Sequence, residues 1–348
     1  MTQRRRWLLA VALAAVVACA GSYAVSAARL AAALTRIDVG ATPITAFDNR
    51  DPARTRFGAL EFRGGLSLTA NFEPFGGISA IHIEPDGSRF LAVTDRGSWL
   101  RGRIVYRDGR PDGIADTEMA PVLGADGKPL AAQGWYDIES LTERDGMVYL
   151  GIERVQKIVR FDYRRDGLQA RGEPVAVPAD FSTLSNNKGL ECLAAAPKGT
   201  ALAGKLIVVT ERSLDAAGNI RAYVLDGKVS GGASDRALRF GVMRSNDFDV
   251  SDCAILPRGD LLLLERHYSP ARGVAVRIRR VPIAAIKEGA VVDGAVLIEA
   301  DLAYQVDNME GMAVHRNAAG ETVITLVSDD NFSVIQRNLL LQFTLAEE

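Results

Sequence analysis

The stretch YDIESLTERDGMVYLGIER (136–154) contains two short apolar strands, a tight turn and a closing acid–arginine pair. Asp145-Gly146 between the strands is a two-residue hairpin signal. The arrangement recurs four times. ISAIHI (78–83) precedes VTDRG (93–97), LECLAA (190–195) precedes VTERS (209–213), and VSDCAI (250–255) precedes LLERH (263–267). MEGMAV (309–314) precedes VSDDN (327–331), where the acid stands without its arginine. A third strand follows each pair, as in KIVRFDY (157–163) and VAVRIRRV (274–281).

The strand-final acids stand at 95, 153, 211, 265 and 329, separated by 58, 58, 54 and 64 residues. Three or four short strands repeating at about 58 residues predict an all-β fold, a β-propeller, because one such unit cannot bury both its faces alone. A β-sandwich or a pair of small barrels would not repeat one hairpin at near-constant spacing. Five blades can be counted. GALEFRGGLSLTA (58–70) reads as a strand that completes the last blade and closes the ring. A degenerate sixth blade in 30–70 or in the longer connections is the alternative. The propeller is assigned to 58–348, after an N-terminal segment at 29–57.

With 348 residues, a net charge of −2 and 24% charged residues, the chain has a sizeable core and no basic excess that would recruit nucleic acid. Arg4, Arg5 and Arg6 precede an apolar run from Trp7 to Ala20, and small residues follow it. That order predicts a signal peptide over 1–28 and a periplasmic or secreted protein. An uncleaved anchor, or lipidation at Cys19, are the alternatives, and any membrane contact would run through this segment. Two cysteines then remain, Cys192 and Cys253, either as a disulfide or as two buried thiols.

In a propeller, the start of each inner strand and the end of the second share one face. The strand-final acids therefore join Glu139, Glu191 and Glu310, with Asp137, Asn187, Asp249 and Asn308 just upstream. Counting back from the Asp145-Gly146 turn predicts Glu139 opposite Glu153, and the same count predicts Glu310 opposite Asp329. Like charges so placed require a cation. Arg96, Arg154, Arg212 and Arg266, each following an acid, can supply it by reaching the next blade. A metal held by the carboxylates can also supply it.

The blocks FGGISAIHIEPDGSRFLAVTDRG, YDIESLTERDGMVYLGIER, NKGLECLAA, FDVSDCAILPRGDLLLLERH and NMEGMAVH…LVSDDNF, spread over about 58–345, resemble the phytase-like family described as having esterase-like activity. The resemblance implies an exported propeller with calcium as cofactor and an ester, phosphate or otherwise, as substrate. It also implies six blades where five are counted. The acids matching the family motifs, and so the implied metal ligands, are Glu139, Glu191, Glu310, Asp329 and Asp330. Arg96, Arg154, Arg212, Arg266 and Lys188, the last in the polar loop Ser185–Lys188, are the candidate contacts for an anionic small-molecule ester.

The sequence carries no G-x-S-x-G elbow and no H-E-x-x-H zinc motif. Of three histidines, His267 is the one beside a strand-final acid; His82 and His315 read as core or rim residues. Three functions remain open: a calcium-dependent ester hydrolase, a lactonase-like hydrolase with one metal, and a non-enzymatic binding propeller of the cell envelope.

Overall fold

Alternating apolar strands joined by tight turns produce five sheets whose blade strands pair antiparallel, with a short parallel strand added at the outer edge of two of them. The computed structural model describes residues 34–185, 188–229, 237–270 and 273–346. The expected signal segment lies outside them, as does Asn187. Blade 1 contains Ile78–Ile83, Arg89–Thr94, Ser98–Arg107 and Arg110–Pro121. Blade 2 contains Ile138–Arg144, Met147–Ile152, Lys157–Asp162 and Arg171–Pro174. Blade 3 contains Leu190–Ala195, Leu206–Leu214, Ile220–Leu225 and Leu238–Val242. Blade 4 contains Asp249–Ile255, Leu261–Ser269, Gly273–Val281 and Ala295–Asp301. Blade 5 contains Met309–Arg316, Thr322–Ser328 and Asn338–Leu345, with Leu60–Ala70 as its fourth strand.

The inner strands touch in chain order and the fifth returns to the first, so the fold is a five-bladed propeller. Leu60–Ala70 pairs antiparallel with Asn338–Leu345, with Leu66 opposite Leu340. Val39–Ile44 adds outside it, and Thr35–Arg36 adds to the outer edge of blade 1. Residues 35–44 thus extend two existing blades and form no sixth one. Among the described residues no helix is long and apolar enough to cross a membrane.

Burial follows position in the blade. Met147–Ile152, sandwiched between neighbouring blades, is almost wholly buried, whereas Ser98–Arg107 further out alternates buried and exposed. Between blades 1 and 2 the fully buried Trp99 meets Phe161 edge-on, with ring centroids 5.2 Å apart. Asp145 (φ 54°) and Gly146 (φ 88°) are both left-handed, as a two-residue turn between twisted strands requires.

Every inner strand has a β-bulge at the same place, between Ile78 and Ala80, Ile138 and Ser140, Leu190 and Cys192, Val250 and Asp252, and Met309 and Gly311. The extra residues are Ser79, Glu139, Glu191, Ser251 and Glu310. Hydroxyls beside the bulges tie blade to blade. Ser79 Oγ donates to the Ile138 carbonyl at 2.5 Å, Ser140 Oγ to that of Leu190 at 2.9 Å, and Ser251 Oγ to that of Met309 at 3.0 Å.

Cys192 and Cys253 form a disulfide joining the inner strands of blades 3 and 4, with Cα atoms 5.1 Å apart and a sequence separation of 61. A cross-link of that span removes about 4 kcal/mol of chain entropy from the unfolded state. We expect Cys192→Ser with Cys253→Ser to keep the strand-type circular dichroism and to lower the unfolding free energy from denaturant titration by an amount near that figure, with a lower midpoint. An unchanged midpoint would show that the bridge does not constrain the chain.

Candidate metal centre

The bulges do more than bend the strands. An extra residue re-aims its side chain, and here it gathers Glu139, Glu191 and Glu310 at one face. This corrects the expected register. Ile138 faces Ile152 and Ser140 faces Gly151, so Glu139 has no cross-strand partner and Glu153 lies just past the strand, in a 3-10 turn. The same slip separates Glu310 from Asp329, because Met309 faces Ser328. The acids still converge, but around the ring and not across one hairpin.

Backbone pairing gives the second set of positions. The amides of Asp95, Glu153, Glu211 and Asp329 donate to the carbonyls of Gly77, Asp137, Gly189 and Asn308. In blade 4 the residue at that place, paired with Asp249, is Arg266. Glu265 therefore drops out of the sequence series. It faces Val250 and points into its own blade, fully buried between Arg277 Nε at 2.9 Å and Arg279 Nη2 at 2.6 Å. The ring is four acids and one arginine. Crowding between residues of this ring and its neighbours shows at Gly77 (φ 63°), where a Cβ would lie 2.1 Å from Asp95 Oδ1.

One carboxylate oxygen each from Glu153, Glu191 and Glu211, all buried, lies within 4.8 Å of the others. Two unit charges at that distance repel by roughly 3 kcal/mol at an effective dielectric constant of 20. Three such pairs approach the whole stability of an ordinary domain, so the triad does not stay ionised without cations. The carboxyls respond accordingly. Burial, then Glu310 and Glu153, drive Glu139 well above the usual range; burial, then Glu139 and Glu153, do the same to Glu191. Burial pushes Glu153 to about 7 against the Gly189 amide that donates to its Oε1 at 2.5 Å. Burial lifts Glu310 to about 7 against Arg266, and Asp329 to about 7 against the Asn331 amide. Asp95 rises to about 6, chiefly by burial.

Two side-chain cations enter the cluster. Arg266 Nη1 lies 2.7 Å from Glu310 Oε1 and also donates to Asn308 Oδ1, while its Nη2 is 3.6 Å from Glu211 Oε1. Lys188 Nζ lies 2.7 Å from Glu211 Oε2. Glu310 Oε2 and Asp95 Oδ1 are buried without a partner. An all-oxygen donor set selects a hard cation. Three oxygens within 4.8 Å of one another can meet on one ion, and calcium, which takes six to eight oxygens at 2.3–2.6 Å in flexible geometry, finds further carboxylate oxygens in the same cluster. The residues present fit calcium.

The other expected site residues divide between ring, cleft and latch. Arg212 reaches the next blade, its Nη1 3.0 Å from Asp249 Oδ2. Arg96 instead lies 3.3 Å above the Phe332 ring, and Arg154 5.0 Å from that of Tyr136, both exposed. Asp330 accepts from the Gly77 amide at 2.9 Å and from Asn338 Nδ2 at 2.8 Å, latching blade 5 to blade 1. A cleft of about 840 Å³ opens beside the ring, lined by Lys188, Arg212, Arg244, Arg266, His267 and Tyr268 among others. His267 Nδ1 is 3.1 Å from the Asp247 carbonyl; His82 and His315 lie far along their inner strands, where burial lowers the pKa of each. Asp252 escaped the sequence reading. Wholly buried, it accepts from the Met312 amide at 2.6 Å and fastens blade 4 to blade 5.

A protein-family model described as Phytase-like: Esterase-like activity of phytase matches residues 73–332. None of the curated proteins matches. Solved structures similar to this chain include the PQQ-bound aldose sugar dehydrogenase of Streptomyces coelicolor, at 13% identity and a TM-score of 0.44 over 88% of this chain and 98% of that one. The RRP9 WD40 repeats match at 11% identity and a TM-score of 0.39, over 78% and 95%.

Acids with raised pKa hold more protons folded than unfolded between about pH 4.5 and 7, so their contribution to stability falls as pH rises through that window. Glu153→Gln keeps the acceptor for Gly189 and removes one charge. We expect it to stabilise the chelator-treated protein at pH 7.5 by on the order of 1 kcal/mol and to flatten the fall between pH 5 and 7.5. Destabilisation at pH 7.5 in denaturant titrations would refute the repulsion.

Proposed function

Because the chain belongs to the phytase-like family described by esterase-like activity of phytase, we propose that it is a calcium-dependent hydrolase of phosphate or other esters that works outside the cytoplasm. The observation that carries this reading is the buried Glu153–Glu191–Glu211 triad, whose convergent, oxygen-only donors suit a hard cation such as calcium. Glu153, Glu191 and Glu211 bind the ion, and Glu310 and Glu139 flank it. Calcium bound there would supply Lewis-acid polarisation of an ester oxygen and a more acidic bound water. Glu139, half-buried and raised by burial and by Glu310, holds or accepts the proton that moves in hydrolysis. Arg212, Lys188 and Arg266 face the neighbouring cleft and orient the anionic side of the ester. Export is supported by Arg4–Arg6 ahead of the apolar run, and by a disulfide between Cys192 and Cys253 that suits an oxidising compartment.

The test is hydrolysis of aryl phosphates, aryl phosphodiesters and aryl acetates by metal-stripped protein, with calcium or chelator added. We expect calcium to restore activity on at least one of these ester classes and Glu191→Gln to lower kcat/KM by about 100-fold. Calcium at a hundred times its dissociation constant should also stabilise the fold by about 2.7 kcal/mol. Calcium binding with no hydrolysis of any ester would make the protein a binding propeller; no calcium binding would remove the reading altogether.

A further inference from the structure

Glu211 is claimed from three sides. Its Oε2 holds Lys188 Nζ at 2.7 Å, its Oε1 lies 3.6 Å from Arg266 Nη2, and one of its oxygens belongs to the triad with Glu153 and Glu191. The two cations are not equivalent. Arg266 is fixed by Glu310 at 2.7 Å and by Asn308, so it keeps its place whatever Glu211 does. Among the described residues, Glu211 is the one carboxylate within ion-pair distance of Lys188. The lysine backbone is pinned, its carbonyl accepting from Ser213 Oγ at 3.0 Å and from the Arg212 amide at 3.3 Å. Its side chain ends at the wall of the 840 Å³ cleft and is about a third exposed, whereas Glu211 is buried.

A divalent cation in the triad needs the carboxylate that Lys188 occupies, and it repels the ammonium beside it. Arg212 and Arg244, which line the same cleft, already share Asp249 at 3.0 and 2.7 Å. Arg266 would keep Glu310 if the metal took Glu211, whereas Lys188 would lose the one ion pair it makes among the described residues.

We propose that Lys188 is a displaceable counter-ion: a divalent cation takes Glu211 from it, and the released ammonium turns into the cleft to hold the anionic group of the ester. The inference rests on the calcium reading above and adds an order to it, with metal first and anion second. Flexible on a four-carbon stem and carrying a compact charge, lysine suits such an exchange better than arginine. Metal and anion are then thermodynamically linked through one side chain.

Lys188→Met separates the possibilities, with circular dichroism as the check on folding. Calcium binding is followed by calorimetry, and methylphosphonate serves as the anion probe with and without saturating calcium. Loss of the competitor should tighten calcium binding by about fivefold or more, the lower end of usual coupling. The same variant should weaken methylphosphonate by a similar factor in calcium-saturated protein and leave it unchanged in calcium-free protein, where Lys188 is already taken by Glu211. Equal or weaker calcium binding by the variant overturns the exchange, as does an anion effect that is the same with and without calcium. Wild-type protein that binds no calcium overturns the calcium reading itself, and the exchange with it.

Discussion

Five β-bulges at one height of the propeller hold the structure to its chemistry. Each adds one residue to an inner strand, and in three blades that residue is glutamate: Glu139, Glu191 and Glu310. In the other two it is Ser79 or Ser251, whose hydroxyl binds the next blade's carbonyl. The same backbone irregularity therefore serves as a joint in two blades and carries a carboxylate in three. Packing and blade closure fix where the glutamates stand, so their mutual repulsion is built in and cannot be relaxed by turning away.

Carboxylates held in place this way need their charge compensated. Asp95, Glu153, Glu211 and Asp329 add to the bulge glutamates, and the fifth place of their ring belongs to Arg266. That arginine is an internal cation for one side of the cluster, bound to Glu310 and close to Glu211. On the other side, where Glu153, Glu191 and Glu211 meet, the cations among the described residues are Lys188 at 2.7 Å and, more distantly, Arg266 at 3.6 Å, both on Glu211, with none at ion-pair distance from Glu153 or Glu191. The asymmetry is why a metal is assigned there and not at the Glu310 side. It also explains why several of the cations expected to meet an anionic ester are already engaged by acids. Of the expected set, Arg212, Arg266 and Lys188 are ion-paired around the cleft, as is Arg244 beside them, so an incoming anion must compete for them.

Much of this was legible in the sequence, and the part that was not has a definite cause. The repeat near 58 residues marked the blades and their inner and second strands, because hairpin turns and apolar alternation are local properties. Which face the acids share came from topology alone. The bulge did not, because I-E-S-L reads as regular alternation whether or not one residue is left unpaired. Counting from the turn therefore set Glu139 against Glu153, where the strands place Ile138 against Ile152. The same blindness put Glu265 into the ring, though its register sends it to Arg277 and Arg279 and leaves Arg266 at the ring position. The Cys192–Cys253 bridge and the Asp252 fastening join different blades, and contacts between distant segments leave no mark on spacing. The six blades implied by the family resemblance failed for a simpler reason: the strands at 35–44 were absorbed by blades 1 and 5.

The claim that joins these parts is that the triad, and no other group of these acids, takes the metal. Crystals grown metal-free and soaked in a lanthanide or manganese salt would test it by anomalous scattering. The expected map has one strong peak among the carboxylates of Glu153, Glu191 and Glu211, with Arg266 still on Glu310. A peak among Glu139, Glu310 and Asp329, or no ordered peak on this face, would contradict the account.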